Sequence, residues 1–219
     1  MKSIALNING PSGQLETVIE ASDIDVIDQL KKEIVGTRIK SLAFVCHPHP
    51  LHGGTFNNKV VTTLCRAFHQ ADILTVRFNF RGVGLSEGIY DEGNGEQADL
   101  KAVIQFICKQ YNLQHLPIIL AGFSFGAYVA SKVALELVSN NQNLSHLILV
   151  GTPVSRWPVP YVFDKTLVIH GSDDEVINIE DVVKWAKLYN LPVHVINEAS
   201  HFFHGKLLIL KDQILNYLQ

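Results

Sequence analysis

The chain has 219 residues, of which 47% are hydrophobic and 18% are charged. A chain of this length can bury one well-filled core and is short for two domains, so we expect a single domain over residues 1–219. Its 18 Lys and Arg against 21 Asp and Glu give a formal net charge of −3. This balance leaves no basic excess to neutralise phosphates or an anionic membrane surface, so we expect neither nucleic acid nor a membrane as a partner.

The apolar runs and the cysteines bear on the cellular compartment in which the protein is expected. No apolar stretch approaches the roughly 18 residues that would cross a bilayer, and the first residues, MKSIALN, turn polar too soon for the apolar segment of a signal peptide. Cys46, Cys65 and Cys108 are odd in number, lie in apolar runs and form no C-x-x-C pair, so we interpret them as buried thiols. We therefore expect a soluble, cytoplasmic protein.

The first forty residues predict an antiparallel hairpin. Two short apolar runs, 4–8 and 16–21, are separated by the turn-forming sequence NGPSG at 9–13. We expect this hairpin at the edge of a sheet. The following segment, 23–34, has several charges and a weak helical period, which predicts a short helix or a loop.

From about residue 40 onward, short β-branched or aromatic runs alternate with segments of helical period, which predicts parallel βαβ units. Most of the strand runs are continuously apolar, as expected when both faces of a sheet are covered. The predicted strands are 41–46, 74–80, 117–121, 146–150, 166–170 and 192–196. The predicted helices are 57–71, 97–111, 124–138, 179–189 and 207–218.

Residues 122–126, GFSFG, follow a predicted strand and precede a predicted helix. This is the context that the G-x-S-x-G pattern of serine nucleophiles requires, with the serine on a sharp strand-to-helix turn. Ser124 is therefore the candidate nucleophile, at a helix N-terminus whose free N–H groups favour a developing anion. The alternative is a structural turn in which Ser124 caps the helix.

A serine nucleophile needs a base and a group that orients the base, and the chain offers both later in sequence. Asp173 and Asp174 follow one predicted strand, and their alternative role is to cap the helix that begins near residue 179. His201 follows the next strand and a short turn, whereas His204 lies nearer the last helix. We assign the base to His201, and these residues alone leave the acid open between the two aspartates.

Residues 47–54, HPHPLHGG, place His47, His49 and His52 in a spacing that first suggests a metal. Three imidazoles can bind zinc, so a metal-dependent hydrolase that uses these residues is one alternative. Metallohydrolases of the H-x-H-x-D-H kind, however, carry an acidic residue where Leu51 stands, and two prolines stiffen this loop. We therefore predict no metal.

Over nearly its whole length the chain resembles the α/β-hydrolase superfamily. The blocks HPHPLHGGT at 47–55, NNKVV at 57–61 and RFNFRGVGLSEG at 77–88 look like those of small bacterial, lid-poor members related to dienelactone hydrolases and to the catalytic domains of acyl-peptide hydrolases. In such proteins the last block is a structural turn. Dienelactone hydrolases use a cysteine nucleophile, so Ser124 argues against a dienelactone substrate.

The resemblance also implies a set of site residues. The superfamily often shows G-x-x-D-x-x-V/I at the acid loop, and GSDDEVI at 171–177 fits this with Asp174 as the acid. It implies an oxyanion hole made of the N–H of Phe125 and a second N–H on the histidine-rich loop. Because prolines have no N–H, His49 is the expected second donor, with Leu51 as the fallback. The resemblance further implies a mostly parallel, eight-stranded sheet flanked by helices, and no cofactor.

Only residues 151–165 separate two strands where larger relatives insert a cap, so we expect an open pocket with minimal or no lid. This aromatic segment could wall the pocket; its alternatives are a loop that covers the core or a contact in a homodimer. Together the residues predict a carboxylesterase-like serine hydrolase that cleaves small esters, or thioesters or amides, through an acyl-enzyme. A binding protein of the same fold without catalysis is a further alternative.

Overall fold

The computed structural model describes residues 2–22, 26, 30, 39–160 and 163–219. Its strands form one eight-stranded sheet in the order β1-β2-β4-β3-β5-β6-β7-β8. The first two strands and the β2/β4 pair are antiparallel, and all other neighbours are parallel. The strands are β1 Lys2–Gly10, β2 Gly13–Ala21, β3 Leu42–Cys46, β4 Leu74–Phe78, β5 Ile118–Phe123, β6 Leu144–Val150, β7 Thr166–Gly171 and β8 Val193–Ile196. The predicted edge hairpin and the parallel sheet are thus confirmed.

Five α-helices with described bounds flank this sheet, at nearly the positions that the apolar periodicity predicts. They are α1 Lys59–Gln70, α2 Asn94–Gln110, α3 Phe125–Ser139, α4 Ile179–Leu188 and α5 Leu207–Leu218. The predicted helix or loop at 23–34 lies outside the described residues, apart from Val26 and Leu30, which are helical and buried. Within the described ranges, no helix is long and apolar enough to cross a membrane.

The core has two layers because each central strand is buried on both faces. Leu42 and Phe44 of β3 pack into the cluster that also takes the apolar faces of α2, α3 and α4. Ala43 and Val45 point the other way, into the cluster with α1 and α5. Strand side chains alternate between faces, so a continuously apolar strand is what this two-sided arrangement requires. The three cysteines are buried, as predicted.

Helix α2 begins three residues before the predicted start. The carboxylate of Glu96 accepts the backbone N–H of Asp91 at 2.9 Å and of Gly93 at 2.7 Å, which satisfies donors ahead of the first turn. Glu96 is buried in this position. The predicted start at residue 97 came from the spacing of apolar residues. That spacing does not show a helix start that is fixed by a buried carboxylate, and the helix therefore begins earlier than predicted.

Candidate active site

The candidate nucleophile lies on a strained turn between β5 and α3. Ser124 has φ +54° and ψ −122°, a conformation that costs a non-glycine residue on the order of 1–3 kcal/mol. Its N–H donates to the carbonyl of Val150 at 2.9 Å, which ties the turn to the neighbouring strand. A Cβ on Gly126 would lie 2.3 Å from the carbonyl oxygen of Cys46, so glycine is required for α3 to begin against the end of β3.

His201 is in contact with both of its expected partners. Its Nε2 is 3.1 Å from Ser124 Oγ and its Nδ1 is 2.7 Å from Asp174 Oδ2. The imidazole is buried, its ring centroid lies 4.9 Å from that of Phe123, and its backbone N–H donates to Glu175 Oε2 at 3.1 Å. Residues 77 positions apart in sequence thus lie within hydrogen-bond distance.

The carboxylate of Asp174 is fully buried and anchored in its own loop. Oδ1 accepts the N–H of Val176 at 2.9 Å and of Ile177 at 2.7 Å. Burial alone would raise the pKa of Asp174, but the bond to His201 and these two N–H groups together lower the pKa below its usual value. Asp173 is exposed and accepts instead from Ser172 Oγ, so of the two aspartates only Asp174 contacts the imidazole.

Two backbone N–H groups were predicted to form an oxyanion hole, those of Phe125 and His49. Within the described residues, the N–H groups of Phe125 and His49 have no protein acceptor. The N–H of Leu51 already donates to His49 Nδ1 at 3.2 Å. Of the two donors considered on this loop, His49 is therefore the one left available, while the roles of His49 and Phe125 remain predictions.

The three histidines of the 47–52 loop do not converge on a metal site. His47 donates from Nδ1 to the carbonyl of Pro48 at 2.7 Å, and its Nε2 accepts the N–H of Phe80 at 3.0 Å. Both ring nitrogens are thus engaged and no lone pair is left for a cation. Among the residues described, no cluster of three His, Cys, Asp or Glu side chains has a metal-binding arrangement.

Aromatic rings wall the site beside this loop. The centroid of the Trp157 ring lies 5.4 Å from that of Phe125 and 5.6 Å from that of His49. Tyr90 packs on both of these residues and its hydroxyl is 3.2 Å from His49 Nε2. Trp157 belongs to residues 151–165, whose described part contains neither helix nor strand, so a helical cap is absent from that part.

Three residues around the site were not predicted from the sequence. Glu175 accepts the N–H of His201, Tyr90 contacts His49, and His170 lies against Asp174. The sequence does place His170 four residues before Asp174, at the end of a buried strand, and this position could have indicated its contact with the carboxylate. Nothing in the pattern around Tyr90 indicates its contact, because that loop approaches the site only in the folded chain.

Comparison with known proteins supports the resemblance to the α/β-hydrolase superfamily. Residues 49–163 match the profile of the family Hydrolase_4, described as serine aminopeptidase, S33. This match includes Ser124 and ends before the loops that carry Asp174 and His201. The chain is also 31% identical over 195 residues to an uncharacterized protein of Rickettsia prowazekii, which covers 81% of this chain and 78% of that one.

The whole chain is similar to two solved structures, and the match covers nearly all of each of them. An alpha-beta serine hydrolase homologue from Coxiella burnetii is 40% identical, with a TM-score of 0.83 and coverage of 100% of this chain and 99% of the other. A serine hydrolase without lid from Xanthomonas campestris is 34% identical, with a TM-score of 0.85 and coverage of 100% and 94%. The chain therefore belongs to the Hydrolase_4 family, described as serine aminopeptidase S33, within the α/β-hydrolase superfamily.

Proposed function

We propose that this hydrolase cleaves small carboxylic esters through an acyl-enzyme formed on Ser124. The observation that carries the proposal is the continuous chain of contacts from Ser124 Oγ through His201 to Asp174, with distances of 3.1 and 2.7 Å. Because Nδ1 faces a carboxylate, the neutral imidazole carries its proton there. Its Nε2 lone pair then accepts the serine hydroxyl, as a general base must.

The reaction follows from these positions. Ser124 Oγ attacks the acyl carbon while its proton passes to His201 Nε2, and the N–H groups of Phe125 and His49 stabilise the negative charge on the carbonyl oxygen. The ester bond then breaks and His201 returns the proton to the leaving alcohol. Water attacks the acyl-enzyme with His201 again as base, which releases the acid and restores Ser124. Asp174 stays ionised throughout and orients the imidazole.

The substrate proposal rests on the surroundings of Ser124. The rings of His49, Tyr90 and Trp157 pack together with that of Phe125, the residue after Ser124. The described part of residues 151–165 forms no helix that would enclose a long chain. We therefore expect short acyl groups to react faster than long ones. Thioesters and amides use the same chemistry and are the alternatives within this proposal.

Active-site labelling tests the proposal directly. A fluorophosphonate probe should modify the folded wild-type protein, and mass spectrometry should locate the adduct on Ser124. Turnover of p-nitrophenyl esters of two to twelve acyl carbons, beside an aminoacyl p-nitroanilide, then measures the preference for ester over amide and for chain length. Ser124→Ala should abolish both labelling and turnover.

Three outcomes would contradict this proposal. Activity that survives Ser124→Ala and is lost with a chelator would favour the metal alternative of His47, His49 and His52. An unlabelled Ser124 in folded protein, without turnover of any ester, thioester or amide, would favour a binding protein of this fold. A rate that rises up to the longest ester would contradict the preference for small substrates.

A further inference from the structure

His170 lies directly behind the candidate acid. It is the next-to-last residue of β7, its side chain is completely buried, and its Nε2 is 3.2 Å from Asp174 Oδ2. The same Nε2 is 3.0 Å from the carbonyl oxygen of Ile177. The mechanism proposed above does not use this imidazole, although it contacts the same carboxylate oxygen as His201.

The surroundings of His170 determine where its proton resides. Nε2 faces two oxygens that can only accept, the Ile177 carbonyl and the Asp174 carboxylate, whereas Nδ1 is buried without a partner among the described residues. A proton on Nδ1 would leave a buried N–H unpaired and would set the Nε2 lone pair against both oxygens. The proton therefore belongs on Nε2.

Burial also keeps His170 neutral. It lowers the pKa of His170 below the usual value, against the raising effects of the Ile177 carbonyl and the Asp174 carboxylate and together with the lowering effect of His201. At neutral pH the ring is then a neutral donor, whose Nε2–H is bonded to the Ile177 carbonyl and lies beside the Asp174 carboxylate.

The Asp174 carboxylate accepts three hydrogen bonds and has a fourth nitrogen beside it. Oδ1 accepts the two backbone N–H groups of Val176 and Ile177, and Oδ2 accepts from His201 Nδ1. Nε2 of His170 donates to the Ile177 carbonyl and lies 3.2 Å from the same Oδ2. His170 therefore holds the loop that orients the carboxylate, and its N–H dipole beside Oδ2 disfavours protonation of that oxygen.

We propose that His170 is a positioning residue: its hydrogen bond to the Ile177 carbonyl and its place against Asp174 Oδ2 fix the carboxylate for His201. The inference rests on the proposed function, since it assigns Asp174 the role of the acid. Without His170, the loop of residues 174–177 loses this support and Oδ2 loses the N–H dipole beside it, so the carboxylate is held less firmly against His201 and is a stronger base toward the proton that His201 takes from Ser124.

The experiment compares two substitutions at His170 with the same two at a buried histidine remote from the site. His170→Gln retains a side-chain N–H that can donate to the Ile177 carbonyl beside Asp174, and His170→Leu removes it with little change of volume. His69 in α1 is buried and both of its ring nitrogens are without a partner in the described structure, so His69→Gln and His69→Leu are the matched controls. The measurements are kcat, KM, the pH profile of kcat/KM, and urea unfolding.

We expect His170→Leu to lower kcat about tenfold with little change in KM, because the loss of one buried hydrogen bond leaves the loop of Asp174 less firmly held. The acid limb of the kcat/KM profile should move to higher pH by about half a unit, because a carboxylate without the neighbouring N–H dipole holds the transferred proton more tightly. His170→Gln should restore most of kcat. Equal kcat in His170→Leu and His69→Leu, or equal losses in His170→Leu and His170→Gln, would overturn the inference.

A second measurement does not depend on turnover or on folding of the leucine variant. Long-range ¹H–¹⁵N correlation spectra of wild-type protein at pH 7 report which nitrogen of each histidine carries the proton. A protonated Nε2 on His170 supports the inference and a protonated Nδ1 overturns it. If wild-type protein neither reacts with the fluorophosphonate nor turns over any substrate, the proposed function fails on its own, whatever the spectrum shows.

Discussion

At the scale of single residues, the site depends on environment more than on residue type. Asp173 and Asp174 are adjacent and chemically identical. The side chain of Asp174 is buried, bonded to two N–H groups and in contact with His201, whereas Asp173 is exposed and bonded to Ser172. Only a carboxylate that reaches Nδ1 can hold the imidazole with its lone pair toward Ser124.

The two aspartates therefore give a matched test of the acid. Asp174→Asn keeps the shape but leaves no charge opposite His201 and favours the wrong tautomer, so we expect kcat to fall by about 10⁴. Asp173→Asn should leave kcat close to that of the wild type. The measurement is turnover of p-nitrophenyl acetate, with urea unfolding to show that both variants fold. Similar losses in the two variants would contradict the assignment.

The sequence predicted these residues unequally, for physical reasons. Ser124 follows from the glycines around it, because those glycines are needed where α3 meets the end of β3. His201 follows from its place after a strand. The choice of Asp174 over Asp173 needed a resemblance, since a loop's pattern does not say which side chain points inward. His170 was missed because its contact with Asp174 arises only where the loop folds back over β7.

At the scale of elements, a buried ion pair holds the turn after β4 against α2. Arg81 donates to both carboxylate oxygens of Asp99 at 2.7 and 3.0 Å and to the carbonyl of Gly95 at 2.8 Å. Asp99 Oδ2 also accepts the backbone N–H of Arg81. This agrees with the interpretation of residues 77–88 as a structural turn. Tyr90, just beyond that turn, contacts His49 of the histidine-rich loop.

Removing the charge of Asp99 should destabilise the fold. Asp99→Asn leaves a buried guanidinium without its counter-ion, and we expect a loss of about 3 kcal/mol in the free energy of unfolding. Lys101 of the same helix pairs with Glu136 on the surface at 2.8 Å, with both side chains 44% exposed. Glu136→Gln should therefore cost less than about 1 kcal/mol. Urea unfolding measures both, and equal effects would show that burial does not decide the contribution.

At the scale of the whole molecule, the parallel sheet brings the site together. Ser124, Asp174 and His201 follow the carboxyl ends of β5, β7 and β8, which lie at one edge of the sheet because these strands are parallel. His47 follows β3 at the same edge and accepts the N–H of Phe80 beyond β4. This edge of the sheet thus carries the side chains of Ser124, Asp174 and His201, and also the buried imidazole of His47, which joins the loops after β3 and β4.

His47 makes the stability of the molecule depend on pH. Burial lowers the pKa of His47 from its usual 6.5 to about 4, against a raising effect of the Pro48 carbonyl. Between these two values the unfolded chain binds a proton that the folded chain does not, so the free energy of unfolding falls as pH decreases. The contribution of His47 to this fall in the free energy of unfolding should amount to about 3 kcal/mol and should level off below about pH 4.

A non-titrating amide at this position separates His47 from the other acid-sensitive groups. His47→Gln can still donate to Pro48 and accept from Phe80, but it takes up no proton in this range. We expect the free energy of unfolding of His47→Gln at pH 7.5 to lie below that of the wild type. Between pH 6.5 and 4 the free energy of unfolding of the variant should fall by about 3 kcal/mol less than that of the wild type. Urea unfolding at half-unit steps of pH measures both slopes. Parallel curves for the two proteins would mean that His47 is not the group whose burial makes the fold sensitive to acid.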